Sequence, residues 1–252
     1  MFDVLTNASA GEMAAAVDAA VTPEATVHLC YPFGDVTGGA GFVAAALGPL
    51  WTALSDVERR VDISIRGTDA HGQDWLGQAG HYAGHFAAPF LDIPPTNRLA
   101  HLRFHEFYRM EGDRAVEVQA IWDLPDLMLQ AGVWPLAPAL GRTGLVPGPM
   151  TQDGTRQNGD GAHALRVVGD MLDRLHLSPE GEAAMDLPAA WHPRCTWYGP
   201  GGIGTARGIR GFRDHHQIRS STPCPTGAAM WTRAISSAGA ITWASPPGPA
   251  CP

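Results

Sequence analysis

Two runs, His101–Arg109 and Ala115–Asp123, alternate apolar and polar residues on either side of Met110-Glu111-Gly112-Asp113-Arg114, and no other feature constrains the fold as tightly. Alternation is the period of a strand with one buried face, and a short acidic segment containing glycine is turn chemistry, so the runs predict an antiparallel hairpin. A third run, Val57–Gly67, alternates likewise, with Val61, Ile63 and Ile65 on one face. Ahead of it, Gly11–Val21 carries Met13, Val17 and Val21 at helical spacing, and Phe42–Leu54 repeats that signature until Ser55-Asp56 stops it.

Between Val133 and Asn158, Pro and Gly interrupt every period, which marks a linker. His163–Leu177 then reads as a helix, and a piece of the first half returns. Glu24-Ala-Thr-Val-His-Leu-Cys-Tyr-Pro-Phe-Gly34, then Gly41-Phe42, is echoed by His192-Pro-Arg-Cys-Thr-Trp-Tyr-Gly-Pro-Gly-Gly202, then Gly211-Phe212, a weak internal repeat. From Arg219 onward neither period survives and the composition is that of a Ser/Pro/Gly-rich disordered tail. Back-translated and read one base out of register, the same stretch permits Phe-Leu-His-Ala-Met-Pro-Asp-Gly and then β-branched and aromatic alternation. The expectation is that one lost base after Ile218 shifted the frame; an intact frame in independent clones of the source DNA sinks it.

Charge narrows the partners. The 252 residues hold 17 basic and 25 acidic side chains, a formal charge of −8, and no basic run, which disfavours nucleic acid and anionic membranes and leaves a small molecule as the expected partner. Every basic residue is arginine, and the wealth of Ala, Gly and Pro fits GC-rich codons and a bacterial source. Cys30, Cys195, Cys224 and Cys251 show no C-x-x-C spacing, which suits a reducing compartment. The first residues lack an export signal and no window of 18 apolar residues exists, so a cytoplasmic location is expected and Asn7-Ala8-Ser9 is an idle sequon. Gly199-Pro-Gly-Gly-Ile-Gly204 matches G-x-G-x-x-G in form only, without the flanking strand, helix and acidic residue of a dinucleotide site; no G-x-S-x-G elbow exists.

Period two places His101, Arg103, His105 and Phe107 on one face of the first hairpin strand and Glu117, Gln119, Ile121 and Asp123 on one face of the second. If the two faces coincide, Arg103, His105, Glu117 and Asp123 converge on one pocket. Each has a plainer reading: Asp123 as the N-cap of a helix opened by Asp123-Leu-Pro-Asp, His105 as a half-buried strand histidine, and Arg103 and Glu117 as a cross-strand pair. His81-Tyr-Ala-Gly-His85 has the spacing of a two-imidazole metal site on a helix, but Gly80 and Gly84 oppose a helix and no third ligand is near, so no metal is expected. Tyr82 and Phe86 line a pocket entrance or pack the core.

Trp75–Thr96, Arg103–Arg109 and Glu117–Gly132 together resemble the SnoaL-like polyketide cyclase, or ester cyclase, family of the nuclear-transport-factor-2-like superfamily. The resemblance is strong over Thr22–Thr151 and weaker over His163–Ile218. It implies an α+β cone in which a curved antiparallel sheet wraps over helices, with residues 1–144 a complete copy, 145–162 a linker, 163–218 the opening of a second copy and 219–252 the out-of-frame tail. It also implies chemistry without a cofactor: an acidic side chain serves as general acid/base in an intramolecular aldol closure on a carbonyl compound. In that scheme Asp123, which ends the family's E-x(5)-D segment, is the acid/base residue and His105 its proton partner or oxyanion donor, with Arg103, Glu117, Gln119, His81, Tyr82, His85 and Phe86 around the pocket. The resemblance leaves open a non-catalytic binding module, an inactive truncated product, and pairing of two copies through their sheets as a homodimer.

Overall fold

A computed structural model of the chain describes residues 8–69, 71–135, 138–139, 141–145, 161–176 and 186–217. The predicted linker and the tail beyond residue 218 fall largely or wholly outside these. The described residues fall into two compact units, the first made of those up to 138 with 143–145 and 200–202, the second of 139, 141–142, 161–176, 186–199 and 203–217.

In the first unit, helix α1 (Ala10–Ala20) opens on a capping box. The Ser9 hydroxyl accepts the Glu12 N–H at 3.2 Å while the Glu12 carboxylate accepts the Ser9 N–H at 2.8 Å. Strand β1 (Val21–Leu29) follows directly, then β2 (Asp35–Thr37) and a helical stretch built from α2 (Gly38–Phe42), a π-helical segment Val43–Leu47 and α3 (Gly48–Ala53). Gly38 enters that stretch at φ 71°, where a β-carbon would stand 2.4 Å from the Pro23 carbonyl oxygen, so only glycine fits this corner. Strands β3 (Glu58–Thr68), β4 (Asp74–His85), β5 (Leu99–Glu111) and β6 (Arg114–Trp122) run in sequence, and α4 (Leu124–Gln130) closes the unit.

The sheet order is β2-β1-β6-β5-β4-β3. Every pairing is antiparallel except β1 with β6, which is parallel, so the sheet is mixed where a wholly antiparallel one was expected. The cause is the long route from β1 through β2, the helices and three further strands, which returns β6 alongside β1 in the same direction. One face of the sheet carries Tyr82, Ala100, Leu102, Phe104, Tyr108, Val118 and Trp122, all buried with Met13, Val17, Phe42, Leu50 and Trp51 of the helices. The rings of Trp51 and Tyr82 meet edge to face at 6.0 Å. This is the α+β arrangement of helices under a curved sheet.

The second unit holds α5 (Gly161–His176), α6 (Leu187–Ala190), the two-residue strands β7 (Thr196–Trp197) and β8 (Ala206–Arg207), α7 (Gly208–Phe212) and a π-helical segment Arg213–Gln217. Its core gathers Leu187, Ala206 and Phe212 with Trp191 and Trp197. The order β7, β8, α7, π-segment repeats β1, β2, α2, π-segment at one constant spacing. Thr26 pairs with Thr37 and Thr196 with Arg207; Gly38 and Gly208 each begin the helix at positive φ, 71° and 65°; Phe42 and Phe212 each end it buried.

Candidate functional site

The hairpin register decides which residues can meet. His105 lies opposite Ile121, Phe107 opposite Gln119 and Arg109 opposite Glu117, so the polar faces of β5 and β6 coincide as expected. Yet that face is the one turned away from the helices, because Phe104, Glu106 and Tyr108 alternate into the helical core. The face also divides. Glu117 is six residues from Asp123, about 20 Å along a strand, and it pairs with Arg109 at 2.9 Å and with Gln119 at 2.8 Å. Glu117 and Gln119 therefore form a separate group at the far end, and the cross-strand pair expected between Arg103 and Glu117 is not made.

At the near end a compact ionic group assembles. The Arg103 guanidinium donates from Nη2 to Asp123 Oδ2 at 2.8 Å with both side chains buried, and Asp123 takes the Asp126 N–H at 3.2 Å as the N-cap of α4. The Gly201 N–H, in the segment 200–202 that belongs to this unit, donates to Asp123 Oδ1 at 2.8 Å. Asp123 thus combines the cap and the site position, with both oxygens engaged. His105, two residues along from Arg103 and half-buried, hydrogen-bonds to no side chain among the described residues. Burial pushes its pKa below the usual 6.5, Arg103 pushes the same way, and Asp123 opposes. Its imidazole is neutral at neutral pH, free to accept a proton.

His81 stands opposite Arg103 in register, its ring 5.8 Å from that of His101, and its Nδ1 lies 2.9 Å from Asp62 Oδ2. Asp126 Oδ2 lies 3.1 Å from His101 Nε2. Gln130 ties α4 to β5 by accepting the His101 N–H at 3.0 Å and donating to the His101 carbonyl at 2.7 Å. Asp62 and Asp126 were not singled out in the sequence, and His101 only as sharing the polar face of its strand. Asp126 was legible only as the second acid of a helix-opening Asp-Leu-Pro-Asp, and Asp62 is brought to this face by a bulge that alternation cannot show.

The remaining candidates are placed elsewhere. His81 and His85 lie on strand β4, so i,i+4 spacing puts them about 13 Å apart rather than side by side, and His85 is exposed at the strand's end. Among the described residues no group of three or more His, Cys, Asp or Glu is disposed to hold a metal. Tyr82 points to the helical side and Phe86 is fully buried in the core, so neither lines an entrance to the ionic group. An open cleft of about 350 Å³ lies beside α1 and α3, lined by Ser9, Glu12, Trp51, Ser55 and Asp56 among others, and it holds none of the candidates.

A second polar group was missed altogether. Glu106, with no exposed surface, accepts from Arg59 Nη2 at 2.6 Å, Tyr82 Oη at 2.7 Å, Tyr108 Oη at 2.6 Å and Trp122 Nε1 at 3.0 Å. Burial alone would raise its pKa, but the Arg59 charge and the hydroxyl donors outweigh that and hold it below the ordinary carboxylate value. Burial drives both tyrosines well above theirs. With every oxygen occupied, Glu106 is a fixed anion and a poor proton carrier.

The sequence profile of the SnoaL-like polyketide cyclases matches residues 3–131. No curated protein matches. Among solved structures, IdmH of Streptomyces antibioticus, a candidate polyketide cyclase, is 21% identical over 46% of this chain and 85% of its own, with a TM-score of 0.39. AclR of Streptomyces galilaeus, a candidate hydroxylase, is 18% identical over 50% of this chain and 84% of its own, at 0.41. A candidate SnoaL-like polyketide cyclase of Jannaschia sp. CCS1 is 15% identical over 49% and 80%, at 0.40.

Proposed function

Because the chain belongs to the SnoaL-like polyketide cyclase family, we propose that its first unit is a cofactor-independent acid/base catalyst of ring closure or isomerisation in a small carbonyl compound. The observation that carries this reading is the His105 imidazole, half-buried, kept neutral by its surroundings and set beside the Arg103–Asp123 pair. A base that removes the proton next to a carbonyl must be unprotonated at working pH and must find its product charge stabilised. His105 meets the first need. The developing enolate is an oxyanion, and Arg103 is the cation at hand for it. Once the enolate carbon has attacked a second carbonyl, the new alkoxide takes back the proton that His105 holds, so the cycle closes without an external acid. Asp123 here acts by fixing Arg103 and balancing the imidazolium, since its own oxygens already receive three donors. The same reading sets the protein in a bacterial cytoplasm with a small molecule as partner and allows two copies to pair.

The test follows deuterium uptake at the activated carbon of a panel of β-keto esters with the full chain, His105→Gln and Asp123→Asn. His105→Gln is expected to lower the rate by about 10²-fold or more with the circular dichroism unchanged. Full exchange in His105→Gln overturns the assignment. Tight binding of a keto ester with no exchange by any of the three proteins favours a binding module, the reading that the saturated Asp123 carboxylate would then support.

A further inference from the structure

We propose that Asp62 is a positioning residue of this site, holding the His81 ring in the tautomer that leaves Nε2 bare as a proton acceptor. The inference rests on the acid/base reading given above and adds to it a second neutral imidazole, His81, as a proton acceptor beside His105, with Asp62 as the residue that orients it.

Asp62 reaches the site through an irregularity in the sheet. The β3–β4 ladder runs Arg60 to His81 and Val61 to Gly80, then resumes with Ile63 opposite Ala79, so Asp62 is the extra residue of a bulge. Gly80 is what lets the strands close there, since a β-carbon at that position would stand 1.9 Å from the Arg60 carbonyl oxygen. The bulge leaves Asp62 without a ladder partner of its own and sets its carboxylate Oδ2 2.9 Å from His81 Nδ1. Bulges recur next to functional sites because they re-aim a side chain in this way.

The chemistry of the contact fixes the proton. An ionised carboxylate only accepts, so the hydrogen between the two atoms belongs to Nδ1, and the neutral ring then has its lone pair on Nε2. The ring is neutral near pH 7 because burial disfavours the imidazolium, and His101 and the Arg103 charge push the same way, while Asp62 works against them. The groups facing His81 are Asp62 and Arg60 from β3 and His101, Arg103 and His105 from β5, with Asp126 and Asp123 one contact further away, beside His101 and Arg103; Arg60 itself turns to Glu58 at 2.6 Å. A carboxylate that orients an imidazole and sets its tautomer is the arrangement that makes histidine a directed base in hydrolase triads. His105 has no such orienting partner among the described residues, so the structure supplies the orientation at His81.

Imidazole ¹⁵N shifts of the full-length protein labelled at histidine, with His81→Gln to assign the resonance, read the tautomer directly. His81 is expected to carry its proton on Nδ1 at pH 7.5, and Asp62→Asn to mix or invert that state. In the exchange assay Asp62→Asn is expected to lower the plateau rate at least about tenfold. It is also expected to move the acid limb of the pH profile downward, since losing the carboxylate removes what favours the imidazolium. A merely structural contact would change the denaturation midpoint and leave tautomer and pH limb in place, and that result overturns the proposal. So does a wild-type His81 protonated on Nε2, a reading that needs no variant to fold. If wild type exchanges no substrate, the acid/base function fails, and the tautomer result by itself decides what Asp62 does.

Discussion

Glu106 and Arg59, with Gln78 beside them, place a full ion pair on the otherwise largely apolar side of the sheet, and at 2.6 Å with almost no exposure the pair has been stripped of water at both ends. Desolvating two charges costs several kcal/mol each, and the return comes from the short contact plus the donors of Tyr82, Tyr108 and Trp122. The net benefit of the pair is small while the cost of losing half of it is large. Glu106→Gln is therefore expected to lower the unfolding free energy by about 3–5 kcal/mol, read from urea midpoints, by leaving Arg59 buried and uncompensated. A loss below about 1 kcal/mol would show that water reaches Arg59. The pair was legible in principle as charge out of phase, since Glu106 falls on the apolar beat of His101–Arg109 and Arg59 on that of β3. Attention to the polar beat selected Arg103, His105 and Asp123, which do assemble, and Glu117, which does not. Alternation reports which residues share a face, but the distance along it depends on register.

Among the elements, those with a single clean period were readable: α1 and the β5–β6 hairpin lie within a few residues of their sequence boundaries, whereas β3 keeps its boundaries but its bulge turns Ile63 and Ile65 to the face opposite Val61, against the expectation that all three share one. Strand β4 was not, because Gly77, Gly80, Gly84, Ala79 and Ala83 carry too little side chain to show a beat. Those small residues are a packing requirement; at Gly77 a β-carbon would meet Phe107 and Ile65 at 3.0–3.1 Å. Gly80→Ala is expected to break the bulge, cost several kcal/mol by the usual scale of severe backbone effects, and abolish the Asp62–His81 contact, seen as loss of the His81 tautomer signature. Helix α4 allows cap and chemistry to be separated. Asn caps a helix as well as Asp, whereas Ala costs about 1 kcal/mol at this position. Asp123→Asn should keep the cap and lose the Arg103 ion pair, and Asp123→Ala should lose both, so the difference in their urea midpoints measures the cap. Equal midpoints would mean that α4 is held by Gln130 and Leu127 instead.

For the whole molecule, the shifted groups that titrate below neutrality act in one direction. His81 and His105 have folded pKa values below their unfolded 6.5, so the folded state binds fewer protons than the unfolded one and stability declines as the pH falls below about 6.5. Glu106 and Asp126 are depressed carboxylates, and what they contribute is present above their unfolded values near 4 and lost as the pH falls through the folded ones. Acid unfolding should then begin with a shallow histidine-dependent slope and steepen below pH 4, and His81→Gln with His105→Gln should flatten the first slope alone. The two units should also differ in how firmly they are held. Twenty-seven buried hydrophobic residues make up the core of the first, against three in the second among the described residues, where Leu165 and Val168 of α5 stay exposed at 66% and 47%. In the first unit β1 is clasped between β2 and β6, while β7, its counterpart by spacing, pairs with β8 alone among the described strands. Among the described residues the elements repeated in the second unit are therefore held without a counterpart of β6. Amide hydrogen exchange tests this: amides of β1, β4, β5 and β6 are expected to exchange only by global opening, and those of β7, β8 and α7 orders of magnitude faster. Equal protection of β1 and β7 would mean that the second unit is secured by contacts of its own, and the analogy between the two strands would fail.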